Sequence, residues 1–426
     1  MPIPTRVQDR SSEEHAPLPV LGDDVHVPLR DGGSVPYAAL DVAASAPALR
    51  QVWDDVAAFA PYYGSVHRGA GHLSQLSSET YERSRATVAA FLGCRPDDAL
   101  VLTRSTTDSM NLLAAVLPSG TRVFVFESEH HAALLCWRDR PTTVLPAPRS
   151  PAEAVASLER ALAEAAEGPR LVCVTGASNV TGEVWPVERL AAVARRHGAR
   201  TVVDAAQLAP HRRVDVAGWG VDWVALSGHK LYAPFGAGVL AGRADWLEEA
   251  EPYLAGGGAS SAVERTADGR LDVAWRSGAA RHEAGSPNVL GAVALASACT
   301  ALTEAGRERL AAREERLLDR LRTGLEAVPG VSVLSLFGPE ADRVAVVSFT
   351  VRGLPAAHVA AELAGRYGIG VRDGFFCAHP LVRTLLEEEG PAGCGDGGGA
   401  VRASFGAGTP AEHVERLVRA VGELAR

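Results

Sequence analysis

A single lysine stands between an apolar run and a cluster of glycines in ALSGHKLYAPFGAGVL, residues 225–240. Upstream, VDWVAL (221–226) has the length and the β-branched and aromatic content of a buried strand. Downstream, GAGVLAGR lets the backbone turn and then begins another apolar strand. Lys230 therefore falls in a loop at a strand end, beside Ser227, Gly228 and His229. Two uses fit that position: a solvated surface cation, or a nucleophilic amine kept close to an anion. The residues behind the other apolar strands separate the two.

After ALVLT (99–103) comes RSTTDSMN, where Ser105, Thr106 and Thr107 place hydroxyls and backbone N–H groups at the start of a helix. That is an anion site or a simple N-cap. RVFVFES (122–128) is followed by EHHAAL, whose His130 could lie against an aromatic ligand or face solvent. Behind RLVCVTG (170–176) stands Asn179, an amide or an ordinary turn residue. ARTVVDAAQ ends a very apolar strand on Asp204, with Gln207 three residues on. A carboxylate there needs a partner or caps a helix, because burying an unpaired charge is costly.

Each residue alone is weak evidence, but they share one order and one sheet edge. Together they supply an anion cradle, a ring to stack on, a carboxylate for a positive nitrogen and an amine for an aldehyde. Pyridoxal 5′-phosphate requires that set, and Lys230 is then the residue expected to carry it. No metal is implied. The six cysteines (94, 136, 173, 299, 377 and 394) form no C-x-x-C pair and read as free thiols of a reduced, cytoplasmic protein.

The elements that must position these groups alternate from about residue 36 to 300, apolar strands with Ala- and Leu-rich helical stretches. That rhythm predicts an α/β fold whose large domain has a mostly parallel sheet flanked by helices, with ligands at the strands' carboxyl ends. Residues 1–35, rich in proline and charge, read as an arm with little structure of its own. A smaller C-terminal α+β domain is expected over 301–426, with RVAVVSFTV (343–351) as a strand. A closing helix is expected to have Thr409 as N-cap, Pro410 at its first position and Glu412 completing a capping box. The Gly-rich, acidic stretch 387–399 reads as a loop carrying Cys394. Length alone, 426 residues, suggests two domains. A net charge of −9 gives no global attraction for nucleic acid. No run approaches the ~18 apolar residues of a membrane span, and MPIPTRVQDRSSEEHAPLPV lacks an apolar core of signal-peptide length.

From about residue 37 onward the chain resembles the class V aminotransferases (fold type I of the pyridoxal-phosphate enzymes), and among them the Suf-type, group II cysteine desulfurases and selenocysteine lyases. The resemblance rests on YAALDVAASAP, SVHRGAGHLS, TRSTTDSMN, SEHHAALLCW, GASNVTG, VDAAQ, SGHKLYAPFGAGVL, EAGSPN, VRDGFFCAHPL and VRASFG, in that order. It implies a seven-stranded type of large-domain sheet. It also implies that Lys230 bears the cofactor and moves the substrate Cα proton. Asp204 and Gln207 would contact the ring nitrogen and phenolic oxygen, His130 would stack on the ring, and Asn179 would lie near the ring oxygen and substrate. Thr106, Thr107, Ser227 and His229 would hold the phosphate. Ser286 would reach the phosphate of a neighbouring subunit, implying a homodimer. Arg402, with Arg372 nearby, would clamp the carboxylate of an amino-acid substrate, L-cysteine first among them.

Cys377 stands five residues after Arg372, where the group II pattern places the persulfide-forming cysteine. The implied reaction converts L-cysteine to L-alanine with a persulfide on Cys377, passed to an acceptor protein or a small thiol. A packing cysteine is the competing reading, because Phe375 and Phe376 stand where relatives carry polar residues; they would raise the thiol pKa and bury it. Ser105 and Ser286 also depart from the usual glycine and threonine. Two other functions compete: a different class V reaction (C–S lyase, epimerase, transaminase or decarboxylating enzyme) with Cys377 a spectator, and a non-catalytic cofactor-binding regulator.

Overall fold

The computed structural model describes residues 16–67, 69–389 and 398–426. The described part of the expected arm, residues 16–35, carries structure of its own. Residues 16–35 include a hairpin strand, β1 (His26–Pro28), whose partner β2 is Ser34–Pro36. Gly32 and Gly33, at φ +90° and +78°, turn the chain between them, and Leu29 N–H closes the loop on Gly33 O at 3.1 Å. The departure has a local cause, since Asp-Gly-Gly between short extended runs is a hairpin signal. Arg30 also anchors the segment, pairing with Glu362 at 2.6 Å. Next comes β3 (Ala38–Ala39).

The principal sheet uses β4 (Asp98–Thr103), β5 (Arg122–Phe126), β6 (Thr142–Leu145), β7 (Arg170–Thr175), β8 (Arg200–Asp204), β9 (Trp223–Ser227) and β10 (Gly238–Arg243). Their spatial order is β4-β10-β9-β8-β7-β5-β6. Only β10 runs against its neighbours. The fold expected from the strand–helix rhythm is thus present, with a mixed, seven-stranded sheet.

Alternation along each strand feeds two cores. Phe124, Phe126, Val172 and Val174 face the helices Arg50–Phe59, Pro151–Ala163, Val187–Arg196 and Val289–Glu304. Val123, Val125, Leu171 and Cys173 face Thr106–Val116, His131–Leu134 and Asp245–Glu249. A sheet covered on both faces explains the near-continuous apolar strand sequences. Among the described residues, no single helix is long and apolar enough to cross a membrane.

Beyond the principal sheet lies a hairpin of β11 (Ser260–Arg265) and β12 (Leu271–Trp275). An antiparallel sheet follows in the order β13-β14-β17-β16, from β13 (Val331–Val333), β14 (Val346–Val351), β16 (Arg372–Gly374) and β17 (Ala400–Ser404). β15 (Ile369–Gly370) pairs in parallel with β3. Ala38 and Leu40 accordingly pack into this sheet's core with Phe349, Leu363 and Leu417.

Two local expectations are corrected. The last helix, Ala411–Leu424, begins one residue later than expected, with Pro410 at the cap position and no side-chain cap. Thr409 Oγ1 instead accepts Gly406 N–H at 3.1 Å, so a turn has captured the hydroxyl. The helix His379–Glu389 runs into the stretch expected to be a loop. Residues 390–397, including Cys394, lie outside the described residues.

Candidate active site

The carboxyl ends of the parallel strands open on a cavity of about 230 Å³ lined by Thr106, Thr107, His130, Asn179, Asp204, Ser227, His229, Lys230, Arg372, Cys377 and Arg402. Gln207 and Ser286 are the sequence-predicted residues that do not line it. A larger cleft, about 570 Å³, lies elsewhere, but its Arg85 and Glu283 are bound to each other at 2.7 Å.

On the sheet side, β9 ends in one turn of 3-10 helix, Gly228–Lys230. The following glycines have a steric reason. A Cβ on Gly238 would lie 2.6 Å from the backbone nitrogen of Ser105, so only glycine lets β10 pass the start of the Thr106 helix. That helix begins at the cavity, where Thr106 N–H and hydroxyl meet Ser227 Oγ at 2.7 and 2.8 Å. His229 Nδ1 bonds Ser45 Oγ at 2.7 Å.

Lys230 keeps part of its surface open, and burial of its amine lowers its pKa to about 8, against an opposing pull from Asp204. Asp204 is buried, and burial raises its pKa while Lys230 holds it down. Its Oδ1 accepts Ala206 N–H at 2.9 Å. His130 has its pKa lowered to about 3, first by burial and then by Lys230. Its Nδ1 accepts Ala132 N–H at 3.1 Å, which leaves the neutral ring's proton on Nε2. Gln207 donates its amide to Ala43 O at 2.8 Å, behind the cavity-lining Ala43.

The opposite side is built from long-range contacts. Phe376 and Cys377 have φ of +50° and +53°, a region costing non-glycine residues about 1–3 kcal/mol each. Two hydrogen bonds hold the loop there: Asn179 Nδ2 donates to Phe376 O, and His131 N–H donates to Cys377 O, both at 2.8 Å. This backbone turns Phe376 inward, its ring centroid 5.1 Å from the Arg402 guanidinium carbon, and leaves Cys377 exposed. The competing reading of Cys377 as a buried packing cysteine is therefore set aside, because consecutive left-handed residues separate its direction from that of Phe376. Cys136, Cys173 and Cys299 are buried and Cys94 is half-buried, with burial raising all four thiols, Cys94 to about 12.

Two residues that the sequence reading passed over belong to this neighbourhood. Glu129 is fully buried, with Oε1 accepting Thr175 N–H at 2.7 Å and Oε2 unpartnered. Burial, and then Asp204, push its carboxyl well above the usual range. Asp41 pairs with Arg402 at 2.8 Å. Asp41 is a carboxylate in an apolar stretch, AALDVAA, and its need for a partner was the available signal; Glu129 stands in the polar ESEHH, which carries no such signal.

The Aminotransferase class-V family model matches residues 38–417. The chain belongs to the class V aminotransferase family. Among curated relatives, the cysteine desulfurase of Salmonella newport (strain SL254) is 33% identical over 419 residues, 96% of this chain and 98% of the relative. The apo structure of a cysteine desulfurase from Thermococcus onnurineus NA1 aligns with a TM-score of 0.80 at 32% identity, covering 91% of this chain and 94% of that one. A cysteine desulfurase from Escherichia coli in S-sulfonic acid form gives 0.76 at 30%, with the same coverage.

Class V aminotransferase enzymes work with pyridoxal 5′-phosphate, as the resemblance implied. The donor set fits it: helix-start N–H and hydroxyl groups for the phosphate, a buried carboxyl for the ring nitrogen, and an amine of lowered pKa for the aldehyde.

Proposed function

We propose that this class V aminotransferase is a cysteine desulfurase that transfers the sulfur of L-cysteine to Cys377 and releases L-alanine. The observation that carries this reading is the shared cavity: an exposed Cys377 lines the same space as Lys230. The bound cofactor supplies an electron sink for the pair left on Cα by proton loss. Thr106, Thr107, Ser227 and His229 would hold its phosphate, and Asp204 would keep its ring nitrogen protonated. His130, whose imidazole burial keeps neutral, would contact the cofactor from the cavity wall. Asn179 and Gln207 act through the 376–377 loop and Ala43, whose carbonyls they bind.

Lys230 Nζ accepts the Cα proton, while Arg402, with Arg372 beside it, holds the substrate carboxylate. The Cys377 thiolate attacks the substrate sulfur. An S–S bond forms, the Cβ–S bond breaks, and its electron pair stays with carbon, which takes up a proton to become the alanine methyl, while Lys230 Nζ returns its proton to Cα. Exposure of Cys377 suits the next step, delivery of the sulfur to an acceptor protein or small thiol.

A homodimer is part of the proposal. Ser286 lines a separate cleft of about 270 Å³ with Arg104, Asp108 and Tyr253, consistent with a partner across a subunit boundary. Free thiols at all five described cysteines fit a reducing cytoplasm.

The test is to give the purified holoenzyme L-cysteine and a reductant, then quantify sulfide and alanine. Equal amounts are expected, and Cys377→Ala should abolish sulfide while keeping the bound cofactor's absorption. Pyruvate in place of alanine, or undiminished sulfide from the alanine variant, would refute the assignment.

A further inference from the structure

In the ladder between β16 and β17, Arg372 stands directly opposite Arg402. Like charges placed opposite one another destabilise a strand pair, and the Arg402 side chain is only 4% exposed. Asp41 lies between them. Its Oδ1 accepts from Arg402 Nη2 at 2.8 Å, and its Oδ2 is 3.9 Å from Arg372 Nη1. The backbone fixes that position: Leu40 N–H donates to Gly370 O at 2.8 Å, and Ser404 N–H donates to Leu40 O at 2.7 Å. Ala43 N–H completes the clamp on Ser404 Oγ at 2.9 Å.

The donors of Arg402 are thereby apportioned. Nη2 serves Asp41 and Nη1 serves Asn179 O at 3.1 Å, while the buried Nε has no partner. Arg372, 51% exposed, is the second cation, drawn toward Asp41. Two guanidinium groups and one carboxylate leave a single net positive charge, matched to one substrate carboxylate.

We propose that Asp41 is a positioning and specificity-determining residue. It fixes the Arg402 guanidinium at the cavity wall that this residue lines, and it draws Arg372 aside so that the site selects amino acids with one anionic group. This rests on Arg402 and Arg372 forming the carboxylate end of the desulfurase site. Removing the Asp41 charge frees Arg372 to meet a second acidic group, and dianionic amino acids become competitive ligands.

The test titrates the cofactor absorption of the holoenzyme with L-alanine and with L-aspartate, as monoanionic and dianionic probes that donate no sulfur. Asp41→Asn keeps side-chain shape and an oxygen acceptor. It should shift the dissociation-constant ratio toward L-aspartate by about tenfold, the scale of one partly screened charge a few ångströms away. Asp41→Glu, which retains the charge, should keep the wild-type preference. The double variant D41N/R372A should return the ratio to the wild-type value, as a purely structural role for Asp41 would not. An unchanged ratio in D41N, with cofactor absorption and melting temperature intact, overturns the inference alone. Should neither amino acid perturb the wild-type band, and Arg402→Lys lack effect on L-cysteine turnover, the reading of the carboxylate site fails and this inference with it.

Discussion

The two sides of the cavity are built by different means. On the sheet side, Asp204, Ser227 and Lys230 sit at or just beyond the ends of adjacent strands, their backbones set by a buried ladder. On the C-terminal side, Cys377 rides a loop with two left-handed residues, held by His131 and Asn179 from distant parts of the chain. One side suits a cofactor that must stay in place. The other presents a sulfur atom to solvent and therefore cannot be buried in a sheet, so strain and long-range hydrogen bonds replace burial as its means of positioning. That division predicts variants on the sheet side to disable chemistry outright and those on the loop side to degrade sulfur transfer while the cofactor stays bound.

The largest effect belongs to Lys230. Lys230→Ala removes the only amine in the cavity lining, and alanine formation from L-cysteine should fall by about 10³-fold or more, at the upper end of general acid–base contributions. Retained turnover would break the comparison at its strongest point.

Next is a pH effect on the same amine. Its pKa, depressed to about 8 by burial, leaves Lys230 protonated and non-nucleophilic below that pH. The rate at which cofactor-free protein combines with pyridoxal 5′-phosphate should rise about tenfold per unit up to pH 8 and then level off. A rise continuing to pH 10 would mean an amine with ordinary solvation.

On the loop side, Asn179→Ala frees the Phe376 carbonyl and relaxes the backbone at Cys377. Losing a buried hydrogen bond costs about 1–3 kcal/mol, so sulfide production should drop about tenfold, with cofactor absorption unchanged. Equal loss of cofactor and activity would show that Asn179 belongs functionally to the sheet side.

The same division governs what could be read from the sequence. Apolar strands alternating with helices placed Lys230, Asp204 and His130 at one edge, because in a parallel sheet the ends of successive strands converge without further information. Asp41 signals a need for some partner, but its partner Arg402 is 361 residues away and no local pattern encodes that distance. The direction of Cys377 depends on positive φ at two non-glycine residues, which composition does not announce, so the sequence alone leaves the reactive and the packing readings both open. Thr409 met the local rule for an N-cap, yet its hydroxyl was taken by Gly406 N–H.

Glu129 sharpens the comparison with the smallest expected effect. Its carboxyl lies on the sheet side, fully buried and near Asp204, and one of its oxygens serves Thr175 N–H. Two nearby buried carboxylates do not both ionise at low cost, and the strand end commits Asp204 to facing Lys230, so Glu129 carries the proton. An amide satisfies the same N–H without charge: Glu129→Gln should cost less than about 1 kcal/mol, whereas Glu129→Ala strands Thr175 N–H and should cost about 2 kcal/mol. The sign of the pH dependence follows from the raised folded-state pKa. Wild type has its full contribution from Glu129 below the unfolded carboxyl pKa, near 4.5, and loses it as pH rises toward the folded value, because the unfolded chain then releases a proton that the folded chain retains. Melting curves of the cofactor-free protein should therefore show Glu129→Gln gaining on wild type between pH 5 and pH 8. If the gap stays constant across that range, Glu129 is ionised in the folded state, and the sheet side tolerates a second buried negative charge that its geometry gives no means of balancing.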